Sequence, residues 1–347
     1  MVATSAVVAL VALIGIGTQR GHATRGTSIR AAATTVPTPV PTTTVPPTTA
    51  PATAIAPPTE PPTTRTTTTA APTTQAVATI VPGPPYRLTS TTLPLVDTSR
   101  PTVSHGHQVS AARALTTLVW APGAPGRWPL VVFAHGFQVG PEPYTSLLES
   151  WAAAGFVVAA PEFPLTDPAV AGANLDESDI DNQPADVRFV IDQLVAPASS
   201  VASRIDPGAV AVAGHSDGAE TALAASLDPA PSGEPVVRAV IAMSVSPLPG
   251  VTRTANPPLL VTQGDADDIN PPSEGYQTWQ MAASPKYLAV LHGGGHLPPL
   301  EAGSAWLPEI TRISLDFLRA YLGGGTAPAA IVSEGNANPT LVTVTSG

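Results

Sequence analysis

The chain contains no cysteine. Disulfides, thiolate metal sites and a cysteine nucleophile are therefore excluded. Charge is also scarce: charged residues make up 12% of the sequence, and the formal net charge is −10. A nucleic-acid partner would need a basic face, so none is expected. No Lys or Arg precedes the first apolar run, Val2 to Gly17, whereas Arg20, Arg25 and Arg30 follow it. That order is the reverse of a standard signal peptide. The run is about 16 residues, short of the roughly 20 that span a bilayer. With Ala31-Ala32-Ala33 as a small-residue cleavage site, residues 1–33 read as a signal peptide or N-terminal anchor.

Proline is abundant, 42 of 347 residues, and much of it lies before residue 86. Thr34 to Val81 is almost entirely Thr, Pro and Ala. Such a segment cannot bury enough apolar surface to offset the entropy of ordering. Residues 34–84 are expected to be a disordered, mucin-like stalk. About 240 residues remain, enough for one sizeable core. Residues 85–322 are expected to fold, and residues 323–347 to form a flexible tail. No internal repeat is present.

The folded part alternates short apolar runs with amphipathic stretches. Ala114 to Trp120, Leu130 to Ala134, Phe156 to Ala160, Val210 to Ala213, Val237 to Val245, Leu259 to Thr262 and Lys286 to Leu291 read as strands. Tyr144 to Ala154, Gln183 to Ala196 and Ile310 to Leu322 read as helices. This alternation predicts an α/β fold, a mainly parallel doubly wound sheet with helices on both faces. Functional loops then gather at the carboxyl ends of the strands. An acidic cluster, Asp176, Glu177, Asp179 and Asp181, lacks the spacing of a calcium loop and reads as solvated.

One junction stands out. The apolar run ending at Ala213 meets Gly214-His215-Ser216-Asp217-Gly218, and a helix-forming stretch follows. A strand turning into a helix through G-x-S-x-G is a nucleophile elbow, with the serine on a strained turn. A serine hydroxyl needs a base within reach and a third group to orient that base. Candidate acids Asp265, Asp267 and Asp268 follow one later strand, and candidate bases His292 and His296 follow the next. Loop freedom in the glycine-flanked GGGHLPP favours His296 over His292, whereas spacing alone does not choose among the acids. The oxyanion would be bound by the backbone N–H groups of Asp217 and Phe137. His135 is expected to support the Phe137 loop. His105 and His107 sit in a polar loop without carboxylates, so no metal and no cofactor is expected.

FAHGF, NQPADVRFVIDQL, VAGHSDGA, QGDADDINPP and GGGHLPP occur in that order. Together they resemble the dienelactone hydrolase-like, chlorophyllase-like and polyester hydrolase-like branch of the α/β-hydrolases, over about residues 100–322. The resemblance implies an α/β-hydrolase fold and a serine esterase. It puts the acid on Asp267, the base on His296, and the oxyanion loop on Gly136-Phe137. Asp268 lies next to that acid, and Asn270 stands where the family pattern has an apolar residue. The short segment between Val245 and Leu259 leaves little room for a lid domain, so the substrate is expected to be a small-molecule or polymeric ester in an open cleft.

The expected function is that of an exported, monomeric carboxylic ester hydrolase, secreted or held at the cell envelope through its N-terminus. Acyl transfer or amide cleavage on the same triad, and a non-catalytic cell-surface protein on a mucin-like stalk, are the alternatives.

Overall fold

The apolar run Leu130 to Ala134 has Val131 and Phe133 packed on one side and Leu130, Val132 and Ala134 on the other. A strand covered on both faces has this side-chain alternation, and the rest of the architecture follows from it. The computed structural model describes residues 85–227, 235–248, 257–323 and 325–347. The expected export segment and the Thr/Pro-rich stalk lie outside these residues.

The strands are β1 (Leu88–Asp97), β2 (Thr102–Ser104), β3 (His107–Ser110), β4 (Arg113–Pro122), β5 (Trp128–Ala134), β6 (Val157–Pro161), β7 (Ile205–His215), β8 (Val237–Met243), β9 (Leu259–Gly264), β10 (Lys286–Leu291) and β11 (Val342–Ser346). The helices are α1 (Thr145–Ala153), α2 (Pro168–Ala171), α3 (Gln183–Val195), α4 (Asp217–Leu227), α5 (Pro272–Met281), α6 (Leu307–Leu322) and α7 (Pro328–Gly335). Nine strands form one sheet in the order β1-β4-β6-β5-β7-β8-β9-β10-β11, while β2 and β3 form a separate hairpin. From β6 through β10 the pairings are parallel. Antiparallel strands β4 and β1 extend one edge, and β11 extends the other. The chain places β6 on one side of β5 and then β7 on the other. A crevice opens at such a reversal, at the carboxyl ends of the strands.

Each face carries its own apolar layer. On one, Trp151 of α1 and Phe317 and Leu318 of α6 cover the sheet. The Trp151 indole N–H donates to Ser314 Oγ at 2.8 Å, which satisfies the one polar atom this large side chain buries. On the other face, Val187, Val190, Ile191 and Leu194 of α3 pack beside Ala219, Ala222 and Leu223 of α4.

Three expectations are corrected here. Residues 323–347 are not a loose tail. Ile331 of α7 and Val342 and Val344 of β11 are buried, and β11 pairs with β10 from Leu291↔Val342 to Tyr287↔Ser346. The Asn336 side chain donates to Val344 O and accepts from Val344 N, tying the end of α7 to the strand. The acidic cluster is only half solvated: Glu177 and Asp181 are exposed, whereas Asp176 and Asp179 are buried. Asp176 Oδ2 accepts the His105 N–H at 2.6 Å, so a carboxylate does lie beside that histidine. Arg113, 1% exposed, grips Asp179 and Asp186 with paired hydrogen bonds of 2.5–2.9 Å. Burial opposes the guanidinium charge, but the two carboxylates outweigh it and raise the Arg113 pKa. Arg100 joins Asp186 to Asp97 at the end of β1. The long loop before α3 is thereby fixed to the sheet edge.

Candidate active site

The elbow is built from main chain. Ser216 lies between β7 and α4 with φ 56°, in the left-handed region that non-glycine residues rarely occupy. A Cβ on Gly214 would sit 2.0 Å from Gly218 O, and one on Gly218 would sit 2.1 Å from Ala134 O. Only glycine permits these approaches. The approach at Gly218 seats the start of α4 on the end of β5. The loop leaving β5 crosses the serine: a Cβ on Gly136 would be 3.3 Å from Ser216 Cβ.

The two histidines separate cleanly. His296 Nδ1 lies 2.9 Å and 3.1 Å from the two oxygens of Asp267. His292 Nδ1 lies 3.0 Å from Asp265 Oδ2. The first pair is sequestered, with side chains 11% and 0% exposed; the second is open, at 35% and 41%. Asp268 is exposed. Of the three acids, then, only Asp267 is buried against His296. A carboxylate accepts, so His296 Nδ1 carries the proton and Nε2 is the basic nitrogen.

Asp267 is held on several sides. Its Oδ1 accepts the backbone N–H groups of Ile269 and Asn270, at 3.0 Å and 2.9 Å. Gln263 Nε2 approaches Oδ2 at 3.3 Å. Burial pushes the Asp267 pKa up, but the hydrogen bond from His296 and those from Asn270 and Ile269 pull it below the ordinary carboxylate value. Asn270 also donates through its side chain to Ser244 O at 2.6 Å, tying the acid loop to the end of β8. Its polar amide explains why an apolar residue is absent there. Asp265 is lowered as well, chiefly by the His292 hydrogen bond.

The candidate oxyanion donors come from the two segments that meet at the serine, the loop after β5 and the start of α4. Asp217 opens α4, and its N–H is one of the four at a helix start that the helix does not use internally. Phe137 follows Gly136, and its N–H has no hydrogen-bond partner among the described residues. His135 supports this loop: its Nδ1 contacts Gly136 O at 2.9 Å, and its Nε2 accepts Phe163 N–H at 3.0 Å. The next residue, Gln138, has φ 60° and donates its N–H to Thr166 O at 2.9 Å, which anchors the turn.

The base loop meets the elbow through His215, whose Nε2 lies 3.1 Å from His296 O; the two rings are 4.6 Å apart. No Ser216–His296 hydrogen bond forms among the described residues. Such bonds are often long or misaligned until a substrate tightens them. Sequence reading missed Gln263, Asn270, Tyr144 and His215 as parts of the site. Asn270 alone carried a signal, as a departure from an expected pattern. The other three become visible only when distant loops converge.

A mainly parallel sheet, an αL serine at a strand–helix elbow, and an Asp–His pair from the loops after β9 and β10 define an α/β-hydrolase. The chlorophyllase family profile matches residues 93–272, just over half of the chain, and the chain belongs to that family. The matched stretch contains Ser216 and Asp267, and His296 lies beyond it. No curated protein matches the chain. Family membership places the protein among α/β-hydrolases of the esterase kind.

Proposed function

We propose that the protein is an exported serine ester hydrolase. The observation that carries this reading is the sequestered His296–Asp267 pair on the loop that touches the Ser216 elbow. Ser216 Oγ attacks the ester carbonyl carbon while its proton passes to His296 Nε2. Asp267 holds the imidazole in the Nδ1–H tautomer and stabilises the imidazolium. The carbonyl oxygen becomes an oxyanion facing the N–H groups of Phe137 and Asp217. His296 returns the proton to the departing alkoxide as the carbonyl reforms. Water, deprotonated by His296, then cleaves the acyl-enzyme and restores the serine.

Export rests on the apolar run Val2 to Gly17 and the Thr/Pro-rich stretch behind it. N-terminal sequencing of the mature protein tests it: an intact N-terminus on protein recovered from the cytosol would refute the assignment. For the chemistry, a panel of p-nitrophenyl esters of rising acyl length is assayed with and without alcohol acceptors. Hydrolysis by the wild type and its loss in S216A are expected. Equal turnover in S216A would refute the reading, and ester products with the acceptor would redirect it to acyl transfer.

A further inference from the structure

Tyr144 is fully buried, at the end of the short turn Glu142–Tyr144 that leads directly into α1. Its hydroxyl lies 2.9 Å from His215 Nδ1 and 3.4 Å from Gly136 N. His215, also buried, reaches from its other nitrogen to His296 O. Chemistry fixes every proton along this path. A carbonyl only accepts, so His215 Nε2 must carry the hydrogen. In a neutral ring Nδ1 is then bare, and it must accept the Tyr144 O–H. The phenol oxygen is left to accept Gly136 N–H.

The linked groups come from separate places: the loop after β5, the end of β7, the approach to α1, and the loop after β10. G-x-S-x-G chemistry asks nothing of the residue before the serine, so an imidazole satisfied at both nitrogens there calls for a reason. We propose that Tyr144 and His215 act together as positioning residues, clamping the oxyanion loop and the His296 loop in register over Ser216. The proposal rests on the hydrolase reading above, because it is that reading's two loops that the pair connects.

The clamp suits the proposed cycle. Burial, with His296 adjacent, pushes the His215 pKa down to about 3, so His215 does not compete for the proton His296 collects. Burial likewise raises the Tyr144 hydroxyl above its ordinary value, keeping it a donor. The other charged groups acting on the pair are Asp267 on the His296 side and Asp217 and Glu301 on the Tyr144 side.

The tautomer is tested directly by imidazole nitrogen NMR, with the His215 signal assigned by its loss in H215F. A neutral Nε2–H ring from about pH 4 to about pH 9 is expected. An Nδ1–H ring, or titration near the ordinary histidine value, would overturn the proposal. Kinetics supply a second measure. Misplacing a reacting group by about 1 Å costs about 10²-fold. Y144F and H215F should each lower kcat on a p-nitrophenyl ester by about 10–10²-fold with KM nearly unchanged, and the double variant should be little worse than either alone. Unchanged kcat, or losses that multiply, would refute the clamp. If H215F does not fold, Y144F and the wild-type spectrum still decide, with the ring signal then assigned by its shift in Y144F. A wild type that neither turns over the ester nor reacts with a fluorophosphonate would instead refute the hydrolase reading, whatever the tautomer.

Discussion

His292 and His296 lie in one short loop, yet each takes a different aspartate: Asp265 faces the first and Asp267 the second. His292 Nε2 is turned the other way, 3.2 Å from Thr343 Oγ1 of β11. It belongs to the sheet edge, away from the serine. H292A should therefore keep ester turnover within about three-fold of wild type. H296A should lose on the order of 10⁶ in kcat and D267N about 10³–10⁴. Initial rates on one p-nitrophenyl ester check all three.

The depressed pKa of Asp267 has a consequence for acid stability. Its folded-state value lies below its unfolded value, so the ionised form favours the folded state. That contribution is complete above the unfolded carboxylate value, about 4, and is lost as pH falls through the lower folded value. D267N lacks it. Wild type should therefore lose more Tm than D267N between neutral pH and about pH 3, as read by calorimetry. Parallel losses would show that the Asp267 hydrogen bonds add no pH-dependent stability.

Ser216 holds a left-handed backbone at a cost of about 1–2 kcal/mol for a residue with a Cβ. Glycine removes that cost but adds about 0.5–1 kcal/mol of unfolded-state entropy. S216G should be inactive yet about 0.5–1 kcal/mol more stable than S216A, which keeps the Cβ. Urea midpoints of the two inactive variants measure the difference.

Arg113 satisfies two buried carboxylates at once. R113M would leave the buried Asp179 without a cation and Asp186 with Arg100 alone, and should destabilise the fold by about 3–5 kcal/mol. The network lies at the sheet edge, so the protein that does fold should keep its KM. A denaturant titration and a Michaelis curve on the same preparation separate the two effects.

Deleting residues 325–347 would uncover the edge of β10 and strip Ile331, Val342 and Val344 from the core. At about 1.5–3 kcal/mol for each aliphatic side chain, the loss approaches the whole stability of a domain. The shorter chain should aggregate on expression, as its soluble fraction will show, because a long unpaired edge templates association.

What was legible in the sequence was whatever is coded locally. The strands β5, β6 and β9, the part of β7 from Ala209 onward and most of β10 are buried, and each carries a short apolar run. The elbow and the order of acid and histidine behind it were equally plain. Sheet edges were not. β1 exposes most of its length, and its Thr-rich LTSTTLPLVD reads as a continuation of the polar tract before it. β11 carries only Val342 and Val344, alternating with threonines, after a Gly- and Asn-rich stretch. That two-residue alternation was the one available signal. Arg113 meets its aspartates across 66 and 73 residues, and no local pattern encodes such a pairing. The choice between Asp267 and its neighbours likewise depended on which carboxylate the turn directs inward.

The glycine contacts divide the site into positions that can change and positions that cannot. Gly214 and Gly218 touch backbone directly, and a Cβ on Gly264 would lie 2.2 Å from Gly294 O, where the acid and base loops abut. These joints have no side chain to trade. Gln138, on the turn beside Phe137, and Ile269, half exposed on the acid loop, stand outside them. A directed-evolution library should therefore vary exposed positions of this kind and leave the glycine joints fixed, since only the former can change without moving the backbone that carries Ser216, Asp267 and His296.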